Sequence, residues 1–433
     1  MTDPAVSRAP FEIWEIILLE VINGTSSPIF DTTCTSSNYL AFKQTCFELS
    51  TDFDEDLEYA SRALERDRLT VRSVCRTWKA IADRWDNRER WLCISGLDKP
   101  ISAERWRGAQ RIDFFSPRSK IPQDIKRNDD AIENWKLHHK TGVGLMKVKR
   151  MELCFHIHSG FMGVLTALCN ASRALVSLKS LSLWVPINNP IVLKMISKHF
   201  PELSHLTLRC IFDGETEQDV GNPSNGANTR APTLYLRKLE VLFLIPAPGC
   251  FQISSWKLPT LRHLHIRPTV AAENLGSKIP QFLKHYAMTL KTLDLGGLDS
   301  TLITTTSSYI STQSTSYGVK SNTITFWDLF PCLRLLRCRL ERYGLPTYPG
   351  PHHPFECLVR SQQVLNVEDM KATLEPWVNH SNVKKLGSIV IHGPCLSNGT
   401  YMKDDGVRSL LQTMRTNGMH LVDPDGKSWI DTL

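Results

Sequence analysis

Two pairs of histidines are the first residues in this chain with the types and spacing to do chemistry. His263 and His265 in RHLHIRP, and His156 and His158 in CFHIHSG, each stand two residues apart. Residues i and i+2 of a strand point to one face, so each pair sets two imidazoles side by side, the beginning of a transition-metal site. A structural zinc site asks for four Cys, His or carboxylate ligands. No such set is apparent, outward positions of a repeat strand take histidine freely, and no metal is expected. His352-His353 falls in a proline-rich stretch and says less. The chain has 12 cysteines and 14 histidines, so a Cys/His/Asp set can always be picked out; composition alone argues for no catalysis. The nucleophile-elbow, P-loop and His-Glu-x-x-His patterns do not occur. No catalytic residue and no cofactor is expected, and the chain reads as a binding protein rather than an enzyme.

The elements that carry these histidines repeat. From residue 105 onward the pattern apolar-x-x-apolar-x-apolar returns as AQRIDF, VKRMEL, LKSLSL, LSHLTL, LEVLFL, LRHLHI, LKTLDL, LRLLRC and LGSIVI, at irregular intervals. The last two apolar residues of each copy are two apart and face one way on a strand; the first enters the core as the chain turns into that strand. One such unit cannot bury its own apolar face, whereas stacked units share a continuous core. Helical patterns lie between copies, over 190–201, 279–290, 368–380 and 404–418. In the first, Ile191, Met195, Ile196 and Phe200 are expected to share a face; the last ends on Asn417-Gly418, a helix stop. The expected fold is α/β: an irregular leucine-rich-repeat-like solenoid over 146–433 with a parallel sheet and outer helices. Residues 86–145 form a connecting segment with a possible first repeat. A doubly wound sheet would show longer β-branched runs and a Gly-rich phosphate turn; LDLGGLDS has adjacent glycines but no G-x-G-x-x-G. Surface loops are expected at 213–233 (polar), 299–323 (Ser/Thr-rich) and 342–356 (Pro-rich).

Bulk properties bound the function. The 433 residues are 42% apolar and 22% charged, ordinary for a folded protein of more than one domain. Net charge is +7 but uneven, acidic over 1–70 and basic over 71–150, a mild dipole rather than a nucleic-acid footprint. No apolar run is long enough to span a membrane, and the N-terminus has no secretory pattern. The cysteines are scattered singly, mostly within apolar segments, as reduced, buried thiols would be. A cytoplasmic or nuclear location, with no nucleic-acid or membrane partner, is expected.

The N-terminal part reads as helical, after a tail over 1–9. In PFEIWEIILLEVING (10–24), Ile13, Trp14, Ile17, Leu18 and Val21 share one face. In VRSVCRTWKAIADRW (71–85), Val71, Val74, Cys75, Trp78, Ile81, Ala82 and Trp85 form a stripe, with Arg72, Arg76, Lys79 and Asp83 off it. Two short amphipathic helices make a poor core alone and need each other, a third helix or a partner. Here the residues resemble a family. Pro10-Phe11-Glu12-Ile13-Trp14 with Ile16-Ile17-Leu18 is similar to the opening of the F-box, and Val71-Arg72-Ser73-Val74-Cys75-Arg76-Thr77-Trp78 to its closing Val-Cys-Arg-x-Trp segment. Ala9 stands where the family usually has Leu, and residues 24–56 form an insertion within the helical domain, 10–85. An N-terminal F-box followed by such a solenoid resembles fungal F-box proteins. The resemblance implies a substrate receptor of an SCF (cullin–RING) ubiquitin ligase. The helices would bind the Skp adaptor through Pro10, Ile13, Ile17, Leu18, Val74, Cys75 and Trp78, and the solenoid would hold a protein substrate. The alternative is an interaction scaffold whose F-box-like helices cap the repeats.

The strand register names an outward, concave face. Its expected substrate-binding residues are Trp184, Arg209, Phe243, His265, Arg267, Arg337 and Arg339, an apolar centre flanked by arginines that suits an apolar anchor with acidic or phosphorylated groups. Loops are the equal alternative for partner capture.

Overall fold

The computed structural model describes residues 11–23, 70–84, 91–95, 103–115, 145–154, 158–186, 190–211, 234–245, 253–266, 278–299, 325–339, 348–364, 366–379, 386–392 and 403–422. The chain forms two compact units whose boundary, between Leu181 and Ser182, falls inside a strand.

The first unit opens with α1 (Phe11–Asn23) and α2 (Arg76–Arg84). Then follow β1 (Trp91–Ser95), α3 (Ala103–Gly108), β2 (Arg111–Phe115), β3 (Arg150–Cys154), α4 (His158–Asn170) and the start of β4 (Ser180–Pro186). Strands β1, β2 and β3 pair in parallel, with Leu92 beside Ile112 and Ile112 beside Met151. These three side chains are fully buried, as are Val164, Leu165 and Leu168 on α4. Repeats therefore begin at β1, inside the segment the sequence assigns to a connection with one possible repeat.

The second unit continues with α5 (Pro190–His199), β5 (His205–Ile211), β6 (Val241–Ile245), a 3-10 turn (Ile253–Ser255), β7 (His263–Ile266), α6 (Lys278–Tyr286) and β8 (Thr292–Asp299). It ends with α7 (Phe326–Leu329), β9 (Leu335–Arg339), β10 (Cys357–Gln363), α8 (Val367–Val378), β11 (Ser388–His392), α9 (Asp405–Thr416) and β12 (His420–Val422). Strands β5 to β12 lie side by side in chain order, and every pair is parallel. The register aligns Leu206, Leu242, Leu264, Leu293, Leu336, Leu358, Ile389 and Leu421 into one row, each at most 1% exposed. This row is the second apolar position of the sequence pattern. It shows why the repeat folds as it does: each leucine covers its neighbours and none is buried by its own repeat alone.

Three expectations are corrected. On α5 the buried residues are Val192, Leu193, Ile196 and Phe200, whereas Ile191 is exposed and Met195 half-buried; the chain enters this helix one residue out of the expected phase. The stripe at 71–85 is not one continuous helix. It breaks at Cys75, whose sulfur accepts from the Trp78 amide at 3.5 Å and whose carbonyl accepts from the Lys79 amide, so Cys75 acts as the N-cap of α2. The Pro-rich stretch is packed at its end. Tyr348 meets Trp377 edge-on, Phe355 is buried between Trp327 and Trp377, and His353 Nε2 bonds the Phe330 carbonyl at 2.9 Å. Burial holds the His353 imidazole below its usual range despite that bond. The polar and Ser/Thr-rich loops, 213–233 and 300–323, lie outside the described residues.

Candidate functional site

In the first unit, α1 and α2 pack on each other. Leu18, Val71 and Ile81 form their shared core with Trp78 against it, and the rings of Trp14 and Trp78 are 5.2 Å apart. The pair leaves four aliphatic side chains outside, among exposed polar residues such as Glu12, Ser73, Arg76 and Lys79: Ile13, Ile16, Ile17 and Val74 are 46%, 62%, 43% and 50% exposed. The residues expected at an adaptor edge therefore divide. Ile13, Ile17 and Val74 are on the surface, Cys75 and Trp78 are half-buried, and Leu18 is core, 1% exposed. Leu18 follows directly on the exposed Ile16 and Ile17, so a 100° step turns it inward against Val71. Pro10 lies outside the described residues. Ile16, which the sequence reading quotes but does not place at the edge, is the most exposed of the set; its position beside Ile17 was the available signal.

In the second unit, the expected binding face is in place but covered. The register lines up Thr207, Phe243, His265, Asp294, Arg337 and Val359 across β5 to β10. Phe243, His265, Asp294, Arg337 and Arg209 are buried, Trp184 is half-buried and Arg339 is exposed. Arg267 lies outside the described residues. Asp294 is the centre of this row. It meets His265 Nδ1 at 3.3 Å and Arg337 Nη1 at 3.2 Å, and its other oxygen accepts the Gly296 amide at 2.7 Å. Burial alone would raise the Asp294 carboxyl. The His265 hydrogen bond, the Arg337 charge and the Gly296 amide outweigh it and hold the group below the usual carboxylate range. Gly296 has φ of 57°, and the β8–β9 register shifts beyond Asp294, so the adjacent glycines of LDLGGLDS supply a left-handed turn that delivers an amide to a carboxylate. Phe243 stacks on the His265 ring at 5.5 Å, and the Arg209 guanidinium sits 5.1 Å over Trp184. His263, the other half of the pair, bonds Thr292 Oγ1 at 2.9 Å. Burial, and then electrostatic coupling to His265, His205, Lys291 and Arg262, push its imidazole down to about 3.

The first unit carries a second buried set that the sequence reading missed. Arg111 grips Asp113, with Nη2 to Oδ2 at 2.7 Å, and its Nη2 lies 3.6 Å from Glu152; Arg111 is in register with Arg150, and Asp113 with Glu152. All four are buried. The signal was present in the paired spellings Arg-Ile-Asp-Phe and Arg-Met-Glu-Leu in successive repeats: a charge of each sign at matching outward positions.

Chemically, these groups are engaged with one another. The His263 and His265 rings meet Thr292 and Asp294, and among the described residues no three His, Cys, Asp or Glu side chains cluster as a metal site would require. The side chains of His156 and His158 are outside the described ones. Burial, and then Asp294, push the Cys338 thiol up to about 12; burial takes Cys357 up to about 11, so neither supplies a thiolate near neutrality. Cys75, Cys169, Cys332, Cys338 and Cys357 are free thiols. Among the described residues no helix is long and apolar enough to cross a membrane.

No protein-family model and no curated protein matches the chain. Among solved structures, a Bacteroides fragilis protein determined as a structural-genomics target is similar at 12% identity and a TM-score of 0.35, over 87% of this chain and 86% of that one.

Proposed function

We propose that this chain is an F-box-type substrate receptor of an SCF (cullin–RING) ubiquitin ligase, working without catalysis of its own in the cytoplasm or nucleus. Its N-terminal helices take the Skp adaptor and its solenoid holds a protein substrate. The observation that carries the reading is the exposed apolar edge of Ile13, Ile17 and Val74 on the α1–α2 pair. All three occupy positions that the F-box resemblance assigns to the adaptor. Stable protein interfaces have apolar centres, and covering the exposed half of each side chain is worth about 1 kcal/mol. Leu18, Val71 and Trp78 beneath them hold the edge in shape. A helix pair that served only to cap the repeats would carry a polar outer face, whereas on this one four exposed aliphatic side chains stand among the polar Glu12, Ser73, Arg76 and Lys79. Co-expression of the full chain with a Skp adaptor tests the proposal. The wild type is expected to retain the adaptor through purification, and Ile17→Asp with Val74→Asp to lose it with circular dichroism unchanged. A wild-type chain that retains no adaptor overturns the reading and leaves the scaffold alternative.

A further inference from the structure

The edge of the second unit where the chain enters each strand carries a row of charges that the adaptor reading does not use. Residues immediately before successive strands stack through the backbone. The Arg262 amide donates to the Glu240 carbonyl at 2.9 Å, Lys291 to Arg262 at 2.7 Å, Arg334 to Lys291 at 2.8 Å, and Glu356 to Arg334 at 2.8 Å. Parallel strands lie about 4.8 Å apart, so three consecutive cations fall within roughly 10 Å, with an acid closing the row at each end. Arg262 and Arg334 are exposed and Lys291 is half-buried. Arg334 stands 3.6 Å from Glu356, while Arg262 and Lys291 have no ion-pair partner among the described residues. Like charges side by side on neighbouring strands repel, and an anion laid across them removes that cost.

Two further features fit a ligand. The turns beneath the cations are braced: the Thr260 hydroxyl donates to the Arg237 and Leu239 carbonyls at 3.0 and 2.9 Å, and that of Thr289 to the Leu261 carbonyl at 2.8 Å. The row is therefore held before anything binds, which limits the ordering cost of association. Three residues ahead of each cation stands an apolar one, Pro259, Met288 and Pro331, and Met288 is 66% exposed. Pro259 is exposed as well, and Pro331 is half-buried.

We propose that this edge docks a short acidic peptide segment of a partner protein, its carboxylates on Arg262, Lys291 and Arg334 and an apolar side chain on Met288. The closing acids favour a peptide over a nucleic acid. A polyphosphate continues at constant charge and meets Glu240 and Glu356, whereas an acidic segment ends after a few residues and can present lysines to those two glutamates. The proposal does not depend on the adaptor reading, because it uses neither α1 nor α2, and the two are scored by separate assays on the same chain.

The test is fluorescence anisotropy of the full chain with a labelled peptide of three consecutive glutamates followed by leucine, between lysines. The wild type is expected to bind at low ionic strength. Arg262→Glu with Lys291→Glu should weaken binding at least tenfold, Met288→Ser severalfold, and Lys194→Glu on α5 not at all. Arg262, Met288 and Lys194 are exposed and Lys291 is half-buried, and the milder Arg262→Gln with Lys291→Gln gives the same comparison if the reversal disturbs folding. No binding by the wild type, or unchanged binding after charge removal, overturns the proposal. Competition by oligouridylate as effective as by unlabelled peptide overturns the peptide assignment.

Discussion

Replacing Asp294 by asparagine removes one charge from the middle of the β7–β9 face and almost no volume. The carboxylate is fully buried and holds Arg337, which is 7% exposed, at 3.2 Å and His265, 0% exposed, at 3.3 Å. Arg337 loses its counter-charge and His265 its carboxylate partner, and the amide must turn its NH2 either toward Arg337 or toward the Gly296 amide, each a donor facing a donor. Removing one partner of a buried ion pair costs about 3–5 kcal/mol, since the remaining charge stays in a medium that does not solvate it. Asp405, 94% exposed beside Arg408, provides the contrast: Asp405→Asn should cost under about 1 kcal/mol. Native-state hydrogen exchange of the full chain reads the difference locally, as lost protection of the β7, β8 and β9 amides in Asp294→Asn. Urea denaturation gives the total. Joint replacement by apolar residues, His265→Phe, Asp294→Leu and Arg337→Met, should recover most of the loss, because no charge is left buried. If Asp294→Asn lies within about 1 kcal/mol of wild type, the burial argument for this face is wrong.

The other predictions concern pH, the β10–α8 packing and a helix end. His263 stays neutral down to about pH 3 in the folded chain, while an unfolded imidazole takes a proton near 6.5. The unfolded chain therefore binds one more proton between those values, and stability falls as pH falls through that window by about 1.4 kcal/mol per unit. His263→Asn, which keeps a group to meet Thr292, should remove about 2 kcal/mol of the loss between pH 7.5 and 5 in urea midpoints; an unchanged loss assigns it elsewhere, and Asp294 contributes only below the usual carboxylate range. Arg360 is in register with Cys338 of the preceding repeat, and it reaches α8 through Asp369 and Thr373 at 2.7 Å each. Asp369→Ala should destabilise by about 3 kcal/mol, whereas Arg360→Leu with Asp369→Ala should sit near wild type in thermal denaturation. Gly418 has φ of 70° and open space around a Cβ, so Gly418→Ala should cost about 1 kcal/mol from the backbone alone; a larger loss in the same melt would point to a clash that the geometry excludes.

The strands were legible because their code is short and redundant. All nine copies of the repeat fall on strands, β2 to β9 and β11. The three strands that the pattern passed over each break it for a physical reason. In β1, Glu89 stands where the first apolar residue belongs; in β10, Arg360 replaces the last one; in β12, Gly418 ends α9 at the first position. That helix stop was itself readable, since the Gly418 amide bonds Arg415 and the Met419 amide bonds Met414 as a Schellman end requires. The outward faces were readable in direction but not in accessibility. Alternation fixes that His265, Asp294 and Arg337 share a side of the sheet, whereas what lies over that side depends on long-range packing that no local spacing encodes. The same limit separates Ile17 from Leu18: both are apolar and adjacent, and only the partner helix decides which one is core.

The adaptor edge is the central claim, and a calorimetric titration of purified Skp adaptor into the full chain tests it most directly. A saturable one-to-one isotherm is predicted for the wild type, weakened at least a hundredfold by Ile17→Asp with Val74→Asp, a loss of about 2.7 kcal/mol or more. An isotherm that the double variant leaves unchanged, or no heat of binding from a folded wild-type chain, would contradict it.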